Sequence, residues 1–122
     1  MTSIQRQCDQ LWQQLIAILW LHRCARCRGS HGCSGHHIVK RRYQFTRYAA
    51  TNGVLLCITC HQWAEEHPKD FLKWLARVYP QLVPTTLSPP VLQRTAEEWL
   101  VVRGFLRVAV EEQSSGRTRW GY

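Results

Sequence analysis

The sequence predicts an α+β domain. Three observations carry that expectation: a long amphipathic stripe near the start, two short apolar runs flanking an Asn-Gly pair, and helical periodicity after them. At 122 residues the chain reads as a single domain (1–122) able to bury a modest core. Hydrophobic residues make up 45% of it, and six tryptophans argue for packing rather than disorder.

The first element is a helix over 4–21, because Ile4, Cys8, Leu11, Trp12, Leu15, Ile16 and Leu19 fall on one helical stripe. Its apolar run, Leu15 to Leu21, is too short to span a membrane and precedes no A-x-A-like cleavage site. A soluble chain in a reducing cytoplasm is the expectation. A Gly-, Ser-, Cys- and Arg-rich loop follows. A strand is predicted at His37–Lys40, then a basic and aromatic loop, and Asn52-Gly53 turns the chain into a second strand at Val54–Cys57. One helix should start near Thr59. Another should start at Pro68, with Phe71, Leu72, Leu75 and Val78 inward. Residues 22–79 thus form a core region and 80–90 a linker. A last helix is predicted over 91–112 with Ser88 as its cap and Gly104 ending or bending it, and 113–122 should be a mobile tail.

The net charge of +8 is concentrated. No acidic residue lies between Asp9 and Glu65, whereas Arg23, Arg26, Arg28, Lys40, Arg41, Arg42 and Arg47 all do. Such a patch is either a solvated face or a surface for a polyanion, and nucleic acid is the commonest polyanion in a cell.

Cys24-Ala-Arg-Cys27 and Cys57-Ile-Thr-Cys60 are two C-x2-C knuckles. Paired knuckles can close a tetrahedral sulfur shell on a structural zinc ion, and a reducing compartment argues against disulfides. Cys8 lies on the apolar stripe as a core residue, and Cys33 is either a bystander or a further ligand. Cys57-Ile-Thr-Cys60-His61 also has the form of a c-type haem attachment site, though that leaves the first knuckle and His36-His37 unexplained.

The pieces His36-His37-Ile38, Arg47 and Asn52, Leu56-Cys57 with Cys60-His61, and His67-Pro68 with Phe71 and Trp74-Leu75 occur in that order. In this order the chain resembles the HNH endonucleases, the ββα-metal (His-Me finger) nucleases. Small phage and prophage HNH proteins with a four-cysteine zinc site are particularly similar. The resemblance covers about residues 24–75 and implies a small ββα-metal core with a four-cysteine zinc knuckle pair and flanking α-helices. It implies that His37 is the general base and that Asn52 steadies the loop and orients His37. His36 and His61 would hold a catalytic divalent ion. Glu65, one helical turn past His61, is a third ligand or an ordinary solvated carboxylate.

Lys40, Arg41, Arg42 and Arg47 would contact DNA backbone phosphates, which give affinity without base specificity. Tyr43, Phe45 and Tyr48 either stack on bases or pack under the loop. A nitrogen-rich catalytic site suits Ni²⁺, Co²⁺, Mn²⁺ or Zn²⁺ better than Mg²⁺. The function implied is phosphodiester hydrolysis in DNA, in a host cytoplasm if the chain is phage encoded. The alternative is a non-catalytic zinc module binding DNA or a phage packaging protein, with a degenerate HNH site. The helices outside the core offer surface for a homodimer or only for a small core.

Overall fold

The computed structural model describes residues 2–41, 44–84 and 94–115. Helix α1 (Ser3–Leu19) opens with a capping box: the Gln5 N–H donates to Thr2 Oγ1, and Gln5 Oε1 accepts from the Thr2 N–H. It ends two residues earlier than the stripe suggests. The His22 N–H reaches back to the Ala17 carbonyl, and Leu21 and His22 both take left-handed backbone angles, φ 56° and 59°. That is a helix-terminating turn of the kind glycine usually makes, formed here by an exposed leucine.

Strand β1 (Ser34–His37) pairs antiparallel with β2 (Gly53–Leu56), placing Gly35 opposite Leu55, His36 opposite Val54 and His37 opposite Gly53. Between them lie a one-turn helix α2 (Gln44–Arg47) and a 3-10 turn at Ala50–Asn52. Helix α3 (Ile58–Glu66) follows β2, and α4 (Pro68–Val78) follows α3 after a break at His67, with Pro68 in its first turn. A 3-10 turn at Pro80–Leu82 and helix α5 (Ala96–Ser115) complete the described elements. The result is an α+β arrangement with one two-stranded sheet. No helix among the described residues is long and apolar enough to cross a membrane.

β1 lies three residues earlier than Ile38-Val39 led us to expect. Val39 is buried, but its N–H and C=O are taken by the Asn52 side chain rather than by a neighbouring strand. The ladder is instead built on Ser-Gly-His-His, in which Gly35 and His37 are covered by α1. Trp12 and Ile16, both wholly buried, lie against Gly35 and Gly53. On the edge of β1, Gln13 accepts from the Gly35 N–H (2.7 Å) and donates to the Gly35 carbonyl (3.2 Å), as an adjoining strand would.

α5 starts at Ala96. Thr95 Oγ1 accepts from the Glu98 N–H, and Glu98 Oε1 accepts from the Thr95 N–H, a second capping box. The cap expected at Ser88, and residues 116–122 of the expected tail, lie outside the described residues; 113–115 are helical, and Gly104 does not interrupt α5. α5 buries Trp99 and Leu106 and packs along α1, where Arg103 donates to Gln7 at 2.8 Å.

The glycine at 53 is demanded by space, since its backbone is ordinary extended chain (φ −141°). A Cβ there would sit 2.5 Å from the Trp12 ring and 2.9 Å from Ile16 Cδ1, neither of which has room to retreat. Gly53→Ala should therefore destabilise the protein by about 1–3 kcal/mol, read as a lowered urea midpoint. An unchanged midpoint would mean that the indole does not press on the sheet.

Candidate metal centre

The four cysteines of the two knuckles come together. Their sulfurs lie within 4.8 Å of one another, with Cys27 Sγ and Cys57 Sγ 3.6 Å apart, and all six cysteines are free thiols. A tetrahedron with zinc–sulfur bonds near 2.3 Å needs sulfurs roughly 3.8 Å apart, so the cluster has the size of a four-sulfur zinc site. Each knuckle is braced by its own backbone: the Cys27 N–H donates to Cys24 Sγ, and the Cys60 N–H to Cys57 Sγ. Cys57 is thereby also the N-cap of α3.

Burial would raise the Cys24 thiol, but hydrogen bonds, chiefly from the Cys27 backbone, bring it down to about 7. Burial and the neighbouring Cys57 and Cys24 sulfurs push Cys60 up to about 12, against the pull of Arg26. The Arg26 guanidinium lies 3.6 Å from Cys60 Sγ and 3.8 Å from the Trp63 ring centroid. Four crowded sulfurs of which some resist ionisation are the setting in which a soft dication binds and releases protons. Cys8 is wholly buried in the core, and Cys33 stands outside the group, hydrogen-bonded to the Gly29 carbonyl.

A second group lies where β1 meets α3. One donor atom each from His36, His61 and Glu65 fall within 4.8 Å of one another. Glu65 Oε1 is 3.3 Å from His61 Nε2 and 3.9 Å from His36 Nδ1. The i, i+4 spacing on α3 brings Glu65 to His61, and the hairpin brings His36 to both. Ser34 Oγ lies 3.0 Å from His61 Nδ1. Were Nε2, which faces Glu65, to ligate an ion, Nδ1 would carry the proton and donate to Ser34, the arrangement by which outer partners fix metal-binding histidines. The His36 ring is held edge-on between His61 and Phe71. Burial, then the neighbouring His61, push His36 down to about 4 against the influence of Glu65, which leaves it neutral and able to ligate near pH 7.

His37, the last residue of β1, stacks face to face on Trp12 at 3.9 Å and 11°. Its Nε2 lies 3.0 Å from the Arg47 carbonyl oxygen. A carbonyl only accepts, so Nε2 holds the proton and Nδ1 the lone pair. Burial and the Arg41 guanidinium push His37 down to about 4, although the Arg47 carbonyl works the other way. The ring is thus neutral near pH 7 with its lone pair on Nδ1, the state that a proton acceptor needs. His36, His37, His61 and Glu65 all line one open cavity of about 1020 Å³, bounded by α1 on one side and by α3 and α4 on the other.

Asn52 is buried, yet it does not hydrogen-bond to His37. Its side chain accepts from the Val39 N–H (2.7 Å) and donates to the Val39 carbonyl (3.1 Å), while its own carbonyl accepts from the Ile38 N–H. It therefore clamps the loop leaving β1, and the hydrogen-bond partner of the imidazole is Arg47. Of the basic residues expected on DNA, Lys40 and Arg41 are exposed and line the cavity. Arg42 lies outside the described residues. Arg47 does not face solvent: its side chain is 11% exposed, and its guanidinium is bound at 2.8 and 2.9 Å by the Asp9 carboxylate. Tyr48 is buried and donates to Asp9, while nothing is described for the Tyr43 and Phe45 side chains.

Asp9, Trp12 and Ser34 went unassigned in the sequence as site residues. Asp9 sits beside Cys8 on the edge of the α1 stripe and carried no further signal. No protein-family model, curated protein or solved structure matches this chain.

Two outcomes follow from these contacts. Asn52→Ala leaves the buried Val39 N–H and C=O unpaired and should cost about 2–4 kcal/mol in denaturant unfolding; a loss under about 1 kcal/mol would show that water replaces the amide. If the cluster holds zinc, Cys60→Ser should lower bound zinc from about one equivalent per chain and reduce helix content together with it, since binding to a site that the unfolded chain lacks is coupled to folding. A Cys60→Ser protein with full zinc and full helicity would remove the cluster's structural role.

Proposed function

We propose that the chain is a metal-dependent DNA endonuclease of the HNH type, with zinc in the four-cysteine cluster and one catalytic divalent ion on His36, His61 and Glu65. The observation that carries this reading is the convergence of those three donors beside His37, in one cavity, on a strand–strand–helix arrangement. A pure binding module has no need of a neutral, oriented imidazole next to a cluster of metal donors.

His36, His61 and Glu65 would hold the divalent ion, which would supply positive charge to offset that of the scissile phosphate and the leaving oxygen. His37 takes the proton from water through Nδ1 as that water's oxygen bonds to phosphorus. The bond from phosphorus to the 3′ oxygen breaks, and the departing 3′ alkoxide takes a proton from solvent water in the open cavity, leaving 5′-phosphate and 3′-hydroxyl ends. The proton on Nε2 stays hydrogen-bonded to the Arg47 carbonyl, so the ring keeps its orientation when it becomes imidazolium. Lys40 and Arg41 at the cavity edge hold backbone phosphates, and binding is accordingly indifferent to sequence and weakened by salt. The enzyme would act in a host cytoplasm if phage encoded, alone or beside packaging proteins.

Plasmid nicking by chelator-treated protein that retains its zinc, across a metal series, tests the reading. Rates should be higher with Ni²⁺, Co²⁺ or Mn²⁺ than with Mg²⁺, because two of the three donors are nitrogens. His37→Ala should abolish nicking and keep both DNA and metal affinity, whereas His36→Ala should lower metal affinity as well. DNA binding without nicking under every metal would leave a zinc-stabilised binding module in the enzyme's place.

A further inference from the structure

The His37 ring is hydrogen-bonded by a backbone carbonyl, and that carbonyl belongs to a helix of four residues, α2. One helical turn has no stability of its own, so something outside it must fix where its last carbonyl points. That something is on α1. The Asp9 carboxylate takes the Arg47 guanidinium through Nε (3.2 Å) and Nη2 (2.8 and 2.9 Å), and the Tyr48 hydroxyl at 2.7 Å. Two consecutive residues at the end of α2 are thereby pinned to one side chain that is itself 19% exposed. Trp12, one turn further along α1, donates from Nε1 to the Ala49 carbonyl at 3.0 Å and covers the face of His37. Tyr48 is backed by Trp99 of α5.

We propose that Asp9 is a positioning residue for the reaction: through Arg47 and Tyr48 it sets the carbonyl that holds the His37 imidazole in its reacting orientation. This rests on His37 as the general base. Arg41 also reaches Asp9, at 3.3 Å, but from an exposed position (57%), and that contact adds little to the clamp. The fork between Asp9 and Arg47 is the part with geometry, since a planar guanidinium on a carboxylate fixes direction as well as distance. Asp9 needs no contact with DNA or with the metal. Its effect is on the alignment of the base, where a displacement of about 1 Å is worth on the order of 100-fold in rate.

The experiment is steady-state nicking by Asp9→Asn, Arg47→Lys and the double variant, with 15N shifts of the His37 ring read on the same proteins. Asp9→Asn should lower kcat by about 10- to 100-fold, with KM and the affinity of Mn²⁺ for the catalytic site within about 3-fold of wild type. Arg47→Lys keeps the carbonyl and the charge but loses the fork, and should fall as far. The double variant should fall no further than either, because both break one unit.

The His37 nitrogen shifts should move in each variant from a protonated, hydrogen-bonded Nε2 toward a mixture of tautomers. Wild-type kcat and unmoved shifts in Asp9→Asn, or additive losses in the double variant, overturn the proposal. If Asp9→Asn does not fold, the Arg47→Lys shifts decide alone. If the wild type nicks nothing, the nuclease reading falls, while the ring shifts still test whether Asp9 orients His37.

Discussion

Trp12 is completely buried, and the hairpin and the His37 side of the candidate site are placed by reference to its indole. The ring lies on the two strands where both carry glycine, with the position of a Cβ only 2.7 Å away at Gly35 and 2.5 Å away at Gly53. A two-stranded sheet is marginal in water by itself and needs an apolar layer on one face. α1 supplies that layer through Trp12 and Ile16. The same indole stacks on His37 and binds the Ala49 carbonyl, so the hairpin, the His37 imidazole and the loop behind it share one rigid reference. Removing a buried tryptophan costs about 3–5 kcal/mol in general. Here the loss would fall on the element that the histidines sit on.

The helices were legible because their signal is periodic and local. The α1 stripe, the Pro68 start of α4 and the chain of helices after the hairpin all follow from spacing that any amphipathic helix must show. The hairpin register was not legible. Ile38-Val39 has the composition of a strand, but the ladder runs through Ser34–His37, because α1 can press only on the side where Gly35 leaves room. That preference depends on a helix far away in sequence. The start of α5 shows a milder form of the same limit: Thr95 with Glu98 is a readable capping box, overshadowed in the sequence by Ser88-Pro89-Pro90.

The site divides the same way. Cysteines in C-x2-C pairs and a glutamate four residues after a histidine report their geometry through spacing, and both groups do assemble. Arg47 misled the reading because charge is visible in a sequence and exposure is not. Inside a run of basic residues it looked like part of a phosphate-binding track, yet the carboxylate that neutralises it comes from Asp9, thirty-eight positions earlier. Asn52 reads as a polar residue with a purpose, and it has one. The purpose is to satisfy Val39, which only the fold could reveal.

α3 joins the two donor groups. It is a nine-residue helix without an acidic residue in its first turn, too short to persist through propensity alone. Cys57 caps it with sulfur, and Cys60, almost fully buried, ties that first turn to the knuckle from Cys24 to Cys27. His61 is the next residue. The rotation of about 100° between consecutive helical positions turns it away from the sulfur cluster and toward His36 and Ser34. A dication among the sulfurs would hold the turn from which the histidine projects, without touching the chemistry beyond it. The separation is one of ligand type as well as of direction, with sulfur on the structural side and nitrogen and oxygen on the side facing the cavity. Ions of different softness, if bound, would then be sorted by neighbouring residues of a single helical turn.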